Sequence, residues 1–185
     1  MAVDLAGTVT YLKDHAVEHG FHVHDERHFV ETYTLRQAWE VDLHPAEACE
    51  GPLDLHLAID LEPRVVLDLE DYLEDAPETP DDPDGRFVVP FLFNWGLPPT
   101  VKAPDLIVLS AELAGIGGVD LPIEVSAVES YGALSDGEEH RLSIVAAVEH
   151  SLVDLMYRQD SFCETLDRVH AVSMYIVEHA PGWIE

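Results

Sequence analysis

Residues 53–61 read Leu-Asp-Leu-His-Leu-Ala-Ile-Asp-Leu, with an apolar side chain at every second position. Side chains of a β-strand point alternately to the two faces of a sheet, so this pattern predicts a strand with one buried and one solvent-facing side. Strict alternation is typical of antiparallel sheets, because the strands of parallel sheets are covered on both faces and are apolar throughout. The sequence therefore predicts an antiparallel sheet around this strand.

Patterns on both sides of this stretch extend the sheet. Alternation or an apolar run predicts further strands at 33–43, 65–69, 87–93 and 119–125. Of these, 65–69 is ambiguous, because Val66, Leu69 and Leu73 also have the spacing of a short helix. With the strand at 65–69 included, the sheet has about five strands.

Helical spacing marks the N-terminal end of the chain. Apolar side chains recur three and four residues apart at Leu5, Val9, Leu12 and Ala16. This stripe predicts an amphipathic helix over 4–19, which begins at Asp4 as N-cap and ends at Gly20.

Two further helices are predicted near the C-terminus. Ser135 with Glu138, and Ser161 with Glu164, each match the capping box that begins a helix. The first is followed by a stripe at helical spacing consisting of Leu142, Val145, Val148, Leu152 and Leu155. The second is followed by a similar stripe that ends before Pro181-Gly182. A short helix at 104–114 is also predicted, with Pro104 in its first turn.

The order of these elements indicates the fold class. A run of strands between terminal helices is typical of an α+β fold, here an antiparallel sheet with an N-terminal helix and two C-terminal helices packed on it. We expect residues 1–185 to form a single domain, with an exposed acidic, proline-rich loop at 74–85.

Charge restricts the partners. The chain has 37 Asp and Glu residues against 9 Lys and Arg residues, a formal net charge of −28. Nucleic acids and anionic membranes require clustered basic side chains, so neither is expected as a partner. A cationic or neutral peptide and a metal ion remain compatible. The same charge also keeps a protein soluble, and the sequence leaves open whether it reflects adaptation to salt or a function.

Cysteine content indicates the compartment. Cys49 and Cys163 are the two cysteines, and neither belongs to a C-x-x-C pair. The N-terminus has no basic segment followed by an apolar one, as a secretory signal has. We therefore expect a soluble protein in the reducing cytoplasm, with no disulfide framework.

Histidines cluster near the N-terminus. Five of the 11 histidines, His15, His19, His22, His24 and His28, lie within 14 positions. Imidazole is the commonest side-chain ligand of transition metals, and His22 and His24 share a face if that segment is extended. The candidate metal ligands are His15, His19, His22 and His24, with zinc as the candidate cofactor; the alternative is a histidine-rich polar loop.

A short motif lies inside this cluster. Residues 15–19, His-Ala-Val-Glu-His, match H-x-x-E-H, the motif of the inverted zinc peptidases. The resemblance implies zinc bound by His15 and His19, water activated by Glu18, and a glutamate from another helix as third ligand. It covers five residues.

Other residue sets carry weaker signals. No serine lies in a nucleophile elbow, so nucleophilic catalysis is not expected. His150 with Asp154, and Asp167 with His170, have helical spacing but form only half of a two-metal motif, and exposed helix faces explain them better.

Two functional hypotheses follow. The first is a non-enzymatic binding or assembly module for a peptide or protein partner, because a sheet with flanking helices offers an edge or groove. The element order resembles that of small secretion-chaperone-like domains, which bind peptides as dimers; this resemblance is architectural and assigns no residues. A homodimer is therefore one expected assembly state. The alternative is a metal-binding protein or metal-dependent hydrolase that uses the N-terminal histidines.

Overall fold

A computed structural model describes residues 3–82, 84–131 and 138–184. All six strands of these residues belong to one antiparallel sheet, in the order β1-β2-β3-β4-β6-β5. The strands are β1 (Phe21–Val30), β2 (Gln37–Pro45), β3 (Asp54–Leu61), β4 (Val88–Gly96), β5 (Ile123–Tyr131) and β6 (Glu138–Ser151).

Helices are distributed along the whole chain. They are α1 (Leu5–Glu18), α2 (Pro63–Asp75), α3 (Leu106–Gly117), α4 (Leu152–Tyr157), α5 (Cys163–His179) and α6 (Pro181–Ile184), with 3-10 turns at Ala46–Ala48 and Gln159–Phe162. The α+β fold is confirmed: an antiparallel sheet combines with an N-terminal helix and C-terminal helices.

The core lies between one face of the sheet and helices α1, α4 and α5. Alternate residues of β2, β3 and β4 point into it, as the 53–61 pattern predicts. The apolar stripe of α1 packs there against β2, β3 and α5. Among the largest buried side chains is Trp95, whose indole N–H donates to the Ser173 hydroxyl oxygen at 2.8 Å. The opposite residues of β2, β3 and β4 remain partly or fully accessible to solvent.

Both ends of α1 are as predicted. Asp4 caps α1 by accepting a hydrogen bond from the Gly7 N–H at 2.8 Å. Gly20 follows the helix with a φ of +86°, and a Cβ at this position would lie 3.0 Å from a His170 ring nitrogen. Glycine therefore allows the chain to reverse here and to begin β1 at once.

The predicted strand at 65–69 is wrong, because this segment belongs to α2. Pro63 stands in the first turn, where its missing N–H costs no hydrogen bond. Leu69 is buried, whereas Leu67, which the strand pattern places on the same face, is 59% exposed. The helical alternative, with Val66, Leu69 and Leu73 turned toward the core, describes the segment.

The helix predicted after Ser135 is also wrong. Residues Glu138–Ser151 form β6, which pairs with β4 on one side and with β5 on the other. Its buried residues alternate from Leu142 to Val148, and only the last four residues of the predicted stripe, 152–155, are helical, as part of α4. The apolar residues of this segment fit an alternating spacing and a helical spacing equally well. Pairing with a strand on each side stabilises the strand over the helix. Ser135 lies outside the described residues.

β1 is, besides β6, the second strand that the sequence did not predict; with the wrong strand at 65–69 removed, these two bring the number to six rather than five. β1 lies at one edge of the sheet and is exposed over most of its length, although Phe21 is fully buried. Charged and polar residues are typical of edge strands, because they prevent pairing with another chain. Because most residues of β1 are polar, its sequence lacks the alternation of apolar residues from which a strand is predicted.

The remaining boundaries differ in detail. The strands predicted at 33–43 and 119–125 begin four residues later, at Gln37 and Ile123. Helix α3 begins after Asp105, whose carboxylate accepts two backbone N–H groups, and ends at Gly118. The loop at 74–85 is mostly exposed in its described residues, but Pro80 is buried and α2 reaches Asp75. No helix of the described chain has both the length and the apolarity that crossing a membrane requires.

Candidate metal sites

The last turns of α1 and the start of α5 bring two imidazoles and one thiol together. We call this set, His15, His19 and Cys163, the helical site. One ligand atom from each residue lies within 4.8 Å of the other two. His15 and His19 are four residues apart and therefore share one helix face, while Cys163 is the first residue of α5. The Cys163 Sγ lies 3.2 Å from His15 Nε2.

Carboxylates contact the other nitrogens of both rings. His15 Nδ1 lies 3.1 Å from Glu18 Oε2, and His19 Nδ1 lies 2.6 Å from Asp167 Oδ1. An ionised carboxylate only accepts hydrogen bonds, so the neutral His19 imidazole carries its proton on Nδ1 and its lone pair on Nε2. Histidines that bind metals are oriented by carboxylates in this way. At His15, the Nε2 atom lies 3.2 Å from the Tyr11 hydroxyl oxygen as well as from the Cys163 sulfur.

The Cys163 thiol is protonated at neutral pH in the absence of a metal. Burial raises its pKa, and the nearby carboxylates Asp160 and Asp167 raise it further. These effects outweigh the backbone hydrogen bond at the start of α5, which lowers the pKa. The position at a helix N-terminus, which the sequence shows, is therefore no evidence of an activated thiol here. The capping box predicted at Ser161 is not formed, because α5 has no side-chain cap and the Ser161 Oγ is buried without a partner.

A second set of the same composition lies on β1. We call this set, His22, His24 and Cys49, the strand site. Its three ligand atoms also lie within 4.8 Å of one another. The Cys49 Sγ is 3.3 Å from His22 Nδ1 and 2.8 Å from His24 Nε2. Cys49 follows the 3-10 turn Ala46–Ala48 after β2, the strand that pairs with β1.

A β-bulge contributes to the strand site. The register of β1 and β2 shifts between Val23 and Asp25, so His24 has no partner opposite it on β2. An extra residue of this kind re-aims side chains locally. Both His22 and His24 consequently reach the same sulfur atom.

The spacing of these atoms is close to that of a zinc centre. Zinc binds nitrogen at about 2.1 Å and sulfur at about 2.3 Å, which places tetrahedral ligands roughly 3.5 Å apart. The nitrogen–sulfur distances from His15, His22 and His24 lie between 2.8 and 3.3 Å. Small rotations of side chains are enough to accommodate an ion.

The four histidines predicted as metal ligands lie in two places rather than one. His15 and His19 share the helical site, and His22 and His24 share the strand site. His28 belongs to neither: it stacks on Trp39 with ring centroids 3.8 Å apart. The cysteines were missed, because Cys49 and Cys163 are distant in sequence from the histidines that they contact. No local pattern in the sequence points to these contacts.

The H-x-x-E-H resemblance fits the structure only in part. His15 and His19 lie on one helix face, as the motif requires. The expected glutamate ligand from another helix is absent from this set, in which Cys163 is the third residue. Glu18 contacts the His15 ring and is oriented toward the imidazole rather than toward the space between the ligands.

The other histidine–carboxylate pairs are separated. His150 lies on β6 rather than on a helix and contacts the Thr165 hydroxyl at 3.1 Å. Burial lowers the pKa of His150. His170 contacts Glu47 at 3.2 Å, whereas Asp167 contacts His19. These contacts do not form a two-metal site.

A cleft of about 440 Å³ lies beside the end of β6. The strand extends past β5 here, since their pairing ends at Ile123 with Ala146. The cleft is lined by residues 147–150 of β6, residues of α5 and the segment before β5. Three carboxylates, Asp120, Glu149 and Glu164, line it together with Arg168, which pairs with the first and third.

Comparisons with protein families, with curated proteins and with solved structures found no match to this chain.

Proposed function

We propose that this protein binds divalent transition-metal ions, zinc foremost, at the helical and strand sites. The observation that carries the proposal is that the sulfur of each cysteine lies within 4.8 Å of ring nitrogens from two histidines, and within 3.3 Å of at least one of them. Imidazole and thiolate together select zinc and similar metals over magnesium and calcium, which require oxygen ligands.

Electrostatics support the same function. The net charge of −28 attracts cations to the surface. At the helical site, Glu18 and Asp167 orient both imidazoles before a metal arrives. The proposal places the protein in a reducing compartment such as the cytoplasm, where both thiols remain available to a metal.

Metal content tests the proposal. Protein purified without a histidine tag is loaded with Zn²⁺, dialysed and analysed for metal. We expect two equivalents per chain, and a thiolate-to-metal charge-transfer band when Co²⁺ replaces Zn²⁺. The matched control is the double variant His56→Asn with His179→Asn, which removes two histidines outside both sites and retains two equivalents. Less than about a tenth of an equivalent, with no thiolate band, would exclude sites of useful affinity.

A second candidate function, peptide binding, is favoured by the cleft beside β6. Backbone groups of residues 147–150 on the side of β5 have no paired strand there. A peptide in extended conformation can add to such an edge. The carboxylates of the cleft favour a peptide with basic side chains.

Selection from a library of random peptides tests this candidate. We expect enrichment of extended peptides with basic residues, and at least about tenfold weaker binding of those peptides to the variant Glu149→Lys. The control Glu124→Lys makes the same charge change on exposed β5, outside the cleft. Equal loss in both variants would indicate attraction by net charge alone and would argue against the site. Light scattering with and without peptide reports whether the expected homodimer forms.

A further inference from the structure

His44 lies beside the strand site on the neighbouring strand. It pairs directly with His22 across β1 and β2, and its ring centroid is 4.3 Å from that of His24. The pairing places the three imidazoles on the same side of the sheet, opposite the core. His44 therefore belongs to the surroundings of Cys49, although it is not one of the three residues whose ligand atoms already converge.

The His44 ring has a buried nitrogen without a partner. Its Nδ1 is inaccessible to solvent and forms no hydrogen bond with any described residue, and the side chain as a whole is 14% exposed. Leaving a buried polar atom unpaired costs free energy, so such atoms are rare in folded proteins and indicate a missing partner.

The other nitrogen determines the state of the ring. His44 Nε2 lies 3.3 Å from Asp54 Oδ1. The negative charge of this carboxylate favours the neutral ring form with its proton on Nε2. The buried Nδ1 then offers a lone pair and no proton, which is the form of imidazole that binds a metal.

We infer that His44 is the fourth ligand of the strand site, recruited through Nδ1 when a metal binds His22, His24 and Cys49. This inference rests on the proposed metal binding. It assigns a three-histidine, one-cysteine set to the strand site, with Asp54 as the carboxylate that orients His44. Four protein ligands are typical of a closed structural zinc centre, whereas three leave a coordination position for water.

The variant Cys163→Ser isolates the strand site, because it removes the thiol of the helical site. X-ray absorption of its bound zinc counts the ligands directly. We expect one sulfur and three imidazoles. One sulfur with two imidazoles and an oxygen ligand would overturn the inference while leaving the proposed function intact. No zinc bound by this variant, and none by the unaltered protein, would overturn the proposed function itself and the inference with it.

Affinity provides an independent measurement. In the Cys163→Ser background, His44→Gln removes the fourth ligand and is expected to weaken zinc binding roughly 100-fold, the upper end of losses seen for groups that only orient a ligand. The control is His56→Gln. His56 lies on β3, on the same face of the sheet as His44, and its Nδ1 already contacts Asp42 at 2.6 Å. Unchanged zinc affinity in His44→Gln would overturn the inference. If His44→Gln does not fold, the ligand count from X-ray absorption decides.

Discussion

The helical site and the strand site use the same set of side chains, two imidazoles and one thiol, in different surroundings. In the helical site, both imidazoles come from one turn of α1, and carboxylates already contact their second nitrogens. In the strand site, the histidines come from an exposed edge strand and meet one sulfur through a bulge. The comparison shows that a helix can orient ligands by its own period, whereas a strand requires an irregularity to do so.

Removing one thiol at a time tests whether the helical site and the strand site each bind their own metal ion. Cys49→Ser is expected to abolish binding at the strand site, and Cys163→Ser at the helical site, each by at least about 100-fold in affinity. Each variant therefore retains one equivalent of zinc, measured by metal analysis after dialysis.

Independence of the two sites is the claim under test here. The double variant should retain no zinc. If either single cysteine variant loses both equivalents, the two sets form one cooperative centre and the division into a helical and a strand site is wrong.

Removing the carboxylate that contacts His19 tests whether it orients this ligand for the metal. Asp167→Asn leaves His19 with a weaker hydrogen-bond acceptor, and we expect a 10- to 100-fold loss of zinc affinity at the helical site only. The measurement is competition with a chromophoric chelator in the Cys49→Ser background. Glu164→Gln is the matched control: it makes the same charge change on the same helix, but Glu164 pairs with Arg168. An equal effect of both variants would show that general charge, rather than orientation, sets the affinity.

The two histidines of the helical site could be predicted from sequence, because residues four positions apart share one face of a helix. His15 and His19 are four residues apart, and Leu5, Val9, Leu12 and Ala16 establish the helix. The alternation of apolar residues over 53–61 likewise predicted β3 and the antiparallel sheet. These signals are local, and local patterns survive in the fold whenever tertiary contacts agree with them.

The rest depends on contacts between distant segments. Cys163 meets His15 across 148 positions, and Cys49 meets His22 across 27. The bulge at His24 is a property of the pairing of β1 with β2, and the polar sequence of β1 does not reveal even the strand. The sequence predicts a helix over β6 because the pairing of this segment with β4 and β5 leaves no local signal in its own residues. A single sequence contains no record of such pairings.

Zinc removal should affect the two sites unequally in backbone dynamics. α1 is anchored by buried residues along its length, whereas β1 has a single partner strand and only Phe21 is fully buried. We expect amide hydrogen exchange of residues 22–24 to become about tenfold faster after chelation, since a bound ligand suppresses local opening. Exchange of residues 9–16 should change little. In the Cys49→Ser variant, chelation should no longer alter exchange in β1; if it still does, the strand site is not what holds this strand.

The smallest expected effect concerns the Cys163 thiol in metal-free protein. Because burial and the carboxylates Asp160 and Asp167 raise its pKa, the reactive thiolate is a smaller fraction of this thiol at neutral pH than in the unfolded chain. In the Cys49→Ser variant, alkylation by iodoacetamide at pH 7.5, followed by mass spectrometry, should be several-fold slower in the folded protein than in denaturant. The rate should rise with pH beyond the range in which the unfolded thiol has already ionised. Asp160→Asn lowers the thiol pKa and should increase the rate at pH 7.5, whereas Asp154→Asn, a carboxylate paired with Arg158, serves as the control. Folded protein that reacts as fast as unfolded protein would mean that Asp160 and Asp167 do not hold the Cys163 thiol protonated. The carboxylates of the helical site would then orient its imidazoles without acting on its sulfur.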